Sequence, residues 1–182
     1  MPSQSECAVL AGGCFWCLDA VYRQVRGVRD VVSGYMGGSL PDPDYDAVCT
    51  GRSGHAEVVQ IEFDPEVISY RDLLEVFFVI HDPTQLNRQG NDVGSQYRSA
   101  IFWRSDVQRV CAEQVLAELE QGEVFAVPIV TELTPATTFY AAEAYHQDYF
   151  RHHPGQGYCA FVVSPKLDKF RAKFAHLLKQ ET

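Results

Sequence analysis

Residues 7–11 form a short apolar run closed by Gly12 and Gly13, and beyond them Leu18, Val21, Tyr22 and Val25 recur at intervals of three and four. A continuous apolar run of that length reads as a buried strand and the wider spacing as one face of a helix, so the chain opens strand, tight turn, helix. Residues 28–35 and 55–63 read as two further strands. Ser69 stands where a helix N-cap belongs, ahead of an apolar face made by Leu73, Leu74, Phe77 and Phe78. A strand is expected at 99–103, and Val107, Val110, Cys111, Val115 and Leu119 mark a helix that stops near Gly122. Residues 127–132 read as a strand, placed at a sheet edge by Pro128, which cannot donate to a ladder. The tail reads as a helix over 141–150, an extended segment over 158–163, and a last helix started by Ser164-Pro165 with Leu167, Phe170, Phe174 and Leu177 inward. Strands and helices mix without strict alternation. That favours an α+β fold, a two-layer α/β sandwich with a mixed sheet, over a doubly wound one. Two long polar stretches, 36–54 and 82–98, are expected as loops, and long ordered loops in compact domains are commonly functional.

Composition narrows the class. The 182 residues are 46% hydrophobic and 21% charged, enough to bury a full core as one domain over 1–182 without disulfides. A formal net charge of −9 with no dense Lys/Arg cluster argues against a nucleic-acid surface. No apolar stretch reaches bilayer length, and the start, Met1-Pro2-Ser3-Gln4-Ser5-Glu6, lacks a basic end followed by an apolar run. The expectation is a soluble, cytoplasmic monomer with no membrane contact. In a reducing compartment the six cysteines point to redox chemistry, metal binding or burial rather than cross-links.

The strand-turn-helix puts Cys14 at a helix N-terminus. There, free N–H groups and the positive end of the macrodipole favour an anion, which is expected to lower the thiol pKa from about 8.5 toward 7 or below and supply a nucleophilic thiolate. A plain buried cysteine is the alternative. Cys17 adds a second thiol three residues on. That Cys-x-x-Cys spacing also suits one zinc knuckle or a thioredoxin-like redox pair, but no second knuckle accompanies it, and the chain lacks the alternating start of the thioredoxin fold. Phe15 and Trp16, directly after Cys14, either line an apolar pocket or pin the helix to the sheet. On the strand over 55–63, alternation puts Glu57 on one face with Val59, Ile61 and Phe63. Burial there disfavours the charged form, so Glu57 is a candidate proton donor near neutral pH unless the strand end exposes it. Tyr45 and Asp46 in one loop, and Asn91, Asp92, Gln96 and Tyr97 in the other, are polar candidates for lining a site or for packing.

Several blocks in order carry a resemblance. They are Gly-Gly-Cys-Phe-Trp at 12–16, Gly34-Tyr35 with Gly37-Gly38, Tyr45 within Pro-Asp-Tyr-Asp-Ala-Val-Cys-Thr-Gly, Gly54-His55-Ala56-Glu57, His81-Asp82-Pro83, the run from Arg88 to Ala100, His146-Gln147-Asp148-Tyr149, and Gly157-Tyr158-Cys159. Over nearly its whole length the chain resembles the methionine sulfoxide reductase A family. The resemblance implies the two-layer sandwich, no metal or organic cofactor, and reduction of the S epimer of methionine sulfoxide, free or in proteins. It makes Cys14 the nucleophile, Glu57 the acid that protonates the departing oxygen, Tyr45 and Tyr97 hydrogen-bond donors to that oxygen, and Asp92 an orienting carboxylate. Phe15 and Trp16 would hold the S-methyl group. It further implies a Cys14 sulfenic acid resolved to a disulfide that thioredoxin reduces. Many family members carry Gly where this chain has Cys17, whereas Cys159 matches the usual resolving cysteine, so two candidates compete for that role.

Overall fold

The computed structural model describes residues 4–180; Met1, Pro2 and Ser3, the first half of the N-terminal stretch read above, lie outside them. Strand β1 (Glu6–Gly12) leads through the Gly12-Gly13 turn into α1 (Phe15–Tyr22), and β2 (Val28–Met36) follows. The loop after it holds a short helix, α2 (Tyr45–Cys49), before β3 (Ala56–Phe63). Next come α3 (Tyr70–Ile80), a small hairpin of β4 (Arg88–Gln89) and β5 (Asp92–Val93), and a 3₁₀ turn over Ser95–Tyr97. Strand β6 (Ser99–Trp103), α4 (Asp106–Gln121), β7 (Glu132–Pro135) and β8 (Tyr140–Ala141) precede α5 (Tyr149–His152) and α6 (Ser164–Lys173).

Six strands pair in the order β7-β6-β1-β3-β2-β8. Only β6 and β7 run parallel, so the sheet is mixed. Its two faces differ. One carries Leu10, Val31, Val59, Ile61 and Phe63 against apolar side chains of α1, α3, α4 and α6, which form the main core. The other carries Val9, Ala11, Val58, Ala100 and Phe102, covered in part by Ala136 and Phe139 rather than by a helix. Helices on one face give the expected two-layer α+β sandwich.

Local chemistry explains the elements that position the site. Gly12 lets α3 approach β1: a Cβ there would meet the Phe77 ring at 3.0 Å and His81 at 3.1 Å. Gly13 has φ 95°, a conformation that glycine adopts without steric cost. Helix α3 starts with a capping box, in which Ser69 Oγ accepts from the Asp72 N–H at 3.0 Å and the Asp72 carboxylate accepts from the Ser69 N–H at 3.3 Å. Ser69→Ala is expected to destabilise the protein by about 1 kcal/mol. Urea unfolding checks this as a lower midpoint at unchanged slope.

Three expectations for the C-terminal half are corrected. The edge strand lies at Glu132–Pro135 rather than over 127–132. Residues 124–131 form no strand, and Pro128 sits in that irregular approach. Instead of one helix, residues 141–150 form the end of β8, a 3₁₀ turn over Ala144–His146 and the start of α5. The break has two causes. The Gln147 side chain takes the Ser33 N–H and donates to the Ser33 and Ala142 carbonyls, tying the segment to β2, and Asp148 has φ 54°. Finally, residues 158–163 are not extended but form a wide helical turn over Cys159–Val163 that continues into α6. Buried Cys159, Val163, Leu167, Phe170, Phe174 and Leu177 recur every three or four residues, so the helical period extends back to Cys159.

Candidate active site

Cys14 is the N-cap residue of α1, extended at φ −63° and ψ 129°, and only 8% of it is exposed. The expectation of a lowered thiol pKa is corrected. Burial pushes the Cys14 thiol well above its ordinary value, and the Glu57 and Cys17 charges add to that. The helix end does not offset this, because α1 has eight residues and its first N–H, from Phe15, is given to Glu57 Oε1 at 3.1 Å. Hydrogen bonds from the Trp16 N–H and the Tyr158 hydroxyl act in the other direction but are outweighed. At neutral pH Cys14 rests as a thiol.

Alternation places Glu57 as expected, on the core face of β3 with Val59, Ile61 and Phe63, and 1% exposed. Burial raises its pKa to about 8, the Phe15 N–H opposes this, and the Asp92 charge adds to it. The carboxyl group therefore keeps its proton at neutral pH. Its Oε2 is buried and bonds to no protein group. A buried polar atom without a partner costs about 1 to 3 kcal/mol, so a structure that retains one is poised to bond something that enters.

The charges of Glu57 and Cys14 are coupled, which gives a pH-dependent expectation. Replacing the carboxylate by the neutral amide in Glu57→Gln removes a negative charge that holds the Cys14 pKa up, so that pKa falls. Alkylation of Cys14 by iodoacetamide, followed by peptide mass mapping above pH 8, is expected to be faster in Glu57→Gln than in the parent. Below pH 7 the two rates converge, because Glu57 is then protonated in the parent.

The two long loops converge on this pair. Tyr45 opens α2, Tyr97 closes the 3₁₀ turn before β6, and the Glu57 charge helps raise both phenol pKa values after burial does. Asp92, on β5, accepts a hydrogen bond from the Tyr158 hydroxyl at 2.6 Å. Phe15 is fully buried, its ring 5.7 Å from Tyr35 and 5.0 Å from His146. Trp16 is half-buried and stacks on Tyr149 at 3.8 Å with 6° between planes. Cys17 is buried one turn along α1, its Sγ 3.9 Å from the Tyr158 hydroxyl, and its charge is felt by both Cys14 and Tyr158. Cys159 is fully buried next in the chain to Tyr158 and lies close enough to Cys17 to raise its pKa.

Other side chains complete the site without having been singled out as functional in the sequence. His146 Nδ1 accepts from Trp16 Nε1 at 3.1 Å, and its ring lies 4.6 Å from Tyr45. That bond makes Nε2 the protonated nitrogen of the neutral ring, and burial lowers the His146 pKa. Glu143 ties Tyr35 and α2 together: it accepts from the Tyr35 hydroxyl at 3.0 Å and from the Tyr45 N–H at 3.1 Å. Tyr158 touches Cys17 and Asp92 at once. Among the described residues no group of three or more His, Cys, Asp or Glu side chains is placed to hold a metal ion, and all six cysteines are free.

Cys14, Glu57, Tyr45 and Tyr97 lie close enough for their charges to act on one another, and Phe15 and Trp16 follow Cys14 at the start of α1. The peptide methionine sulfoxide reductase family model matches residues 6–178. The chain belongs to the peptide methionine sulfoxide reductase family. It is 62% identical over 173 residues to the peptide methionine sulfoxide reductase MsrA of Polynucleobacter asymbioticus, covering 95% of this chain and 91% of that one. Among solved structures it resembles Mxr1 of Saccharomyces cerevisiae in reduced form, with TM-score 0.78, 35% identity, and 87% and 91% of the two chains covered. Mxr1 in complex with Trx2 matches with TM-score 0.55, 28% identity, and 82% and 87% coverage. A methionine sulfoxide reductase is an oxidoreductase, and thiols are the electron donors that such a site offers. The His146-Gln147-Asp148-Tyr149 block was visible as a family block, but nothing in its periodicity shows that His146 and Tyr149 pack around Trp16.

Proposed function

We propose that Cys14 attacks the sulfur of methionine S-sulfoxide while Glu57 protonates the sulfoxide oxygen, Tyr45 and Tyr97 donate to that oxygen, and Asp92 orients the site. Phe15 and Trp16 hold the S-methyl group. The observation that carries this reading is the pairing of Cys14 with a buried Glu57 that keeps its proton near neutral pH and leaves Oε2 without a protein partner. Sulfoxide oxygen leaves poorly until protonated, so an acid beside the nucleophile is what the reaction requires. The Cys14 thiol proton restores the one Glu57 gives to the oxygen, the sulfur–sulfur bond made by the attack breaks as that protonated oxygen passes to Cys14 as a sulfenic acid, and the substrate departs as a thioether. A second thiol then displaces hydroxide as water, forming a disulfide. Thioredoxin, a dithiol, reduces that disulfide and becomes oxidised itself. We assign this cycle to the cytoplasm, where thiols are kept reduced.

The resolved epimers test the pocket. Inverting the sulfur puts oxygen against Phe15 and Trp16 and methyl against the polar donors, at a cost of about 1 to 3 kcal/mol for each buried group left unpaired. The S epimer is expected to be consumed and the R epimer to remain. Equal consumption of both overturns the arrangement.

Resolution is assigned to Cys159, with Cys17 as an additional partner that takes the disulfide first or relays it. Support comes from their proximity: Cys14 feels the charge of Cys17, and Cys17 that of Cys159. The open glycines Gly155 and Gly157 before Cys159, at which an added Cβ would meet nothing within 4 Å, give that segment room to move. Cys17→Ser and Cys159→Ser are each expected to release about one methionine per enzyme, because that step uses only Cys14 and the proton donors. Cys159→Ser is expected to stop thioredoxin-coupled turnover. Recycling of Cys159→Ser at the parent rate, with a Cys14 to Cys17 bridge on peptide mapping, would show that the nearer pair works alone.

A further inference from the structure

The lysines of this acidic chain are not scattered. All four, Lys166, Lys169, Lys173 and Lys179, fall in its last seventeen residues, and the basic side chains before them are all arginines. Lys166, Lys169 and Lys173 lie at i, i+3 and i+7 on α6 and therefore share one face of that helix. Among the described residues none of the three pairs with a carboxylate, and every side-chain ion pair is made by an arginine. The lysines form one wall of a groove of about 700 Å³ that also runs past the end of α3 and includes Asp82. The irregular segment after α4 also lines it, where Val124 is 59% and Val127 55% exposed and Phe125 half-buried beside them. Exposed apolar side chains grouped against unpaired charge mark an interaction surface rather than a solvated face.

The groove also has a defined position relative to the chemistry. Lys166 lies close enough to Cys17 for its ammonium to favour the Cys17 thiolate. Cys159 begins the helical turn that runs directly into α6. One end of the groove is thus beside the thiols that would carry the disulfide.

We propose that this groove docks the reductant: an acidic dithiol protein of the thioredoxin type, its negative surface on Lys166, Lys169 and Lys173 and an apolar side chain against Val124 and Val127. The proposal rests on the reading above that a protein dithiol recycles the enzyme. Charge complementarity selects an acidic partner over a basic one. Because the lysines are at the surface, they act mainly on the encounter rate and its salt dependence.

The test uses Lys169→Glu/Lys173→Glu and, separately, Val127→Asp, leaving Lys166 and every site residue intact. Each is assayed with excess methionine sulfoxide, once with dithiothreitol and once with thioredoxin, thioredoxin reductase and NADPH. With dithiothreitol both variants are expected to turn over at the parent rate. With thioredoxin, the KM for thioredoxin is expected to rise with added salt in the parent, and in the charge-reversed variant to be about tenfold higher and to lose that salt dependence. Val127→Asp is expected to raise it as well. An unchanged thioredoxin KM in both variants overturns the proposal, as does a raised KM for an oxidised protein substrate with that for thioredoxin unchanged, which would make the groove a substrate surface. Failure of the parent itself to turn over with dithiothreitol sinks the reductase reading instead, so the two failures are told apart.

Discussion

A Cys14→Ser protein is expected to fold as the parent does and to form no methionine from methionine sulfoxide, even in a single turnover. The fold does not depend on the sulfur. A serine hydroxyl can take the hydrogen bonds that the Trp16 N–H and the Tyr158 hydroxyl give to Cys14, and the turn is held mainly by other contacts: the Cys17 N–H donates to the Cys14 carbonyl at 3.1 Å, the Phe15 N–H to Glu57, and Gly13 supplies the positive φ. Serine is smaller and as well suited to an N-cap, so the urea midpoint should move little. The chemistry does depend on it. An alkoxide is not accessible near neutral pH in a site whose burial already holds a thiol in its protonated form, and a serine hydroxyl cannot take up the sulfoxide oxygen as a sulfenic acid. The loss should therefore be complete within detection, with Cys17 and Cys159 unable to substitute because neither is bonded into the Glu57 corner. Methionine release from a folded Cys14→Ser protein, measured by chromatography after one equivalent of sulfoxide, would remove Cys14 from its role.

What the sequence revealed of this site follows the range of the forces involved. Gly12-Gly13 before Cys14, the alternation around Glu57 and the Ser69 cap are local signals, written within a few residues, and each is found in the structure where the pattern put it. The resting state of Cys14 was misread for the same reason: the helix end is local and visible, but the burial that outweighs it is assembled from distant elements. The C-terminal half went wrong where local pattern and tertiary ties conflict. The apolar spacing over 141–150 fits a helix, but the Gln147 side chain fastens that segment to Ser33, 114 residues earlier. Residues 158–163 contain β-branched side chains that suggest a strand, yet Cys159 and Val163 continue the buried stripe of α6. Tyr158, which links Asp92 to Cys17 across 66 and 141 residues of chain, and His146, which receives the Trp16 indole across 130, lie beyond the reach of any spacing rule.

Glu57→Gln separates the proton from the shape of the group that carries it. The amide keeps an oxygen to accept the Phe15 N–H and fills the same volume, so the turn that holds Cys14 stays in place. What it removes is an acid whose pKa, about 8, leaves it protonated at neutral pH and able to give that proton to a departing oxygen. General acids contribute about 10² to 10⁴ in rate, and the single-turnover rate of methionine formation is expected to fall by that factor. The amide N–H can still bond the oxygen, so KM should change far less than kcat. The loss occurs even though the same substitution makes Cys14 easier to ionise, and the two measurements together exclude damage to the nucleophile as its cause. Stability gives a third, independent readout. Folding raises the Glu57 pKa from 4.5 to about 8, so the folded state holds a proton that the unfolded chain releases, and stability is lost as pH rises from about 4.5 through 8. Glutamine carries no such linkage. Relative to the parent, Glu57→Gln should gain stability between pH 5 and pH 8.5 in urea unfolding. A rate loss under tenfold would make Glu57 a structural residue, whereas a large rate loss with the stability difference unchanged across that pH range would mean that its carboxyl group is already ionised in the folded protein and is not the proton donor.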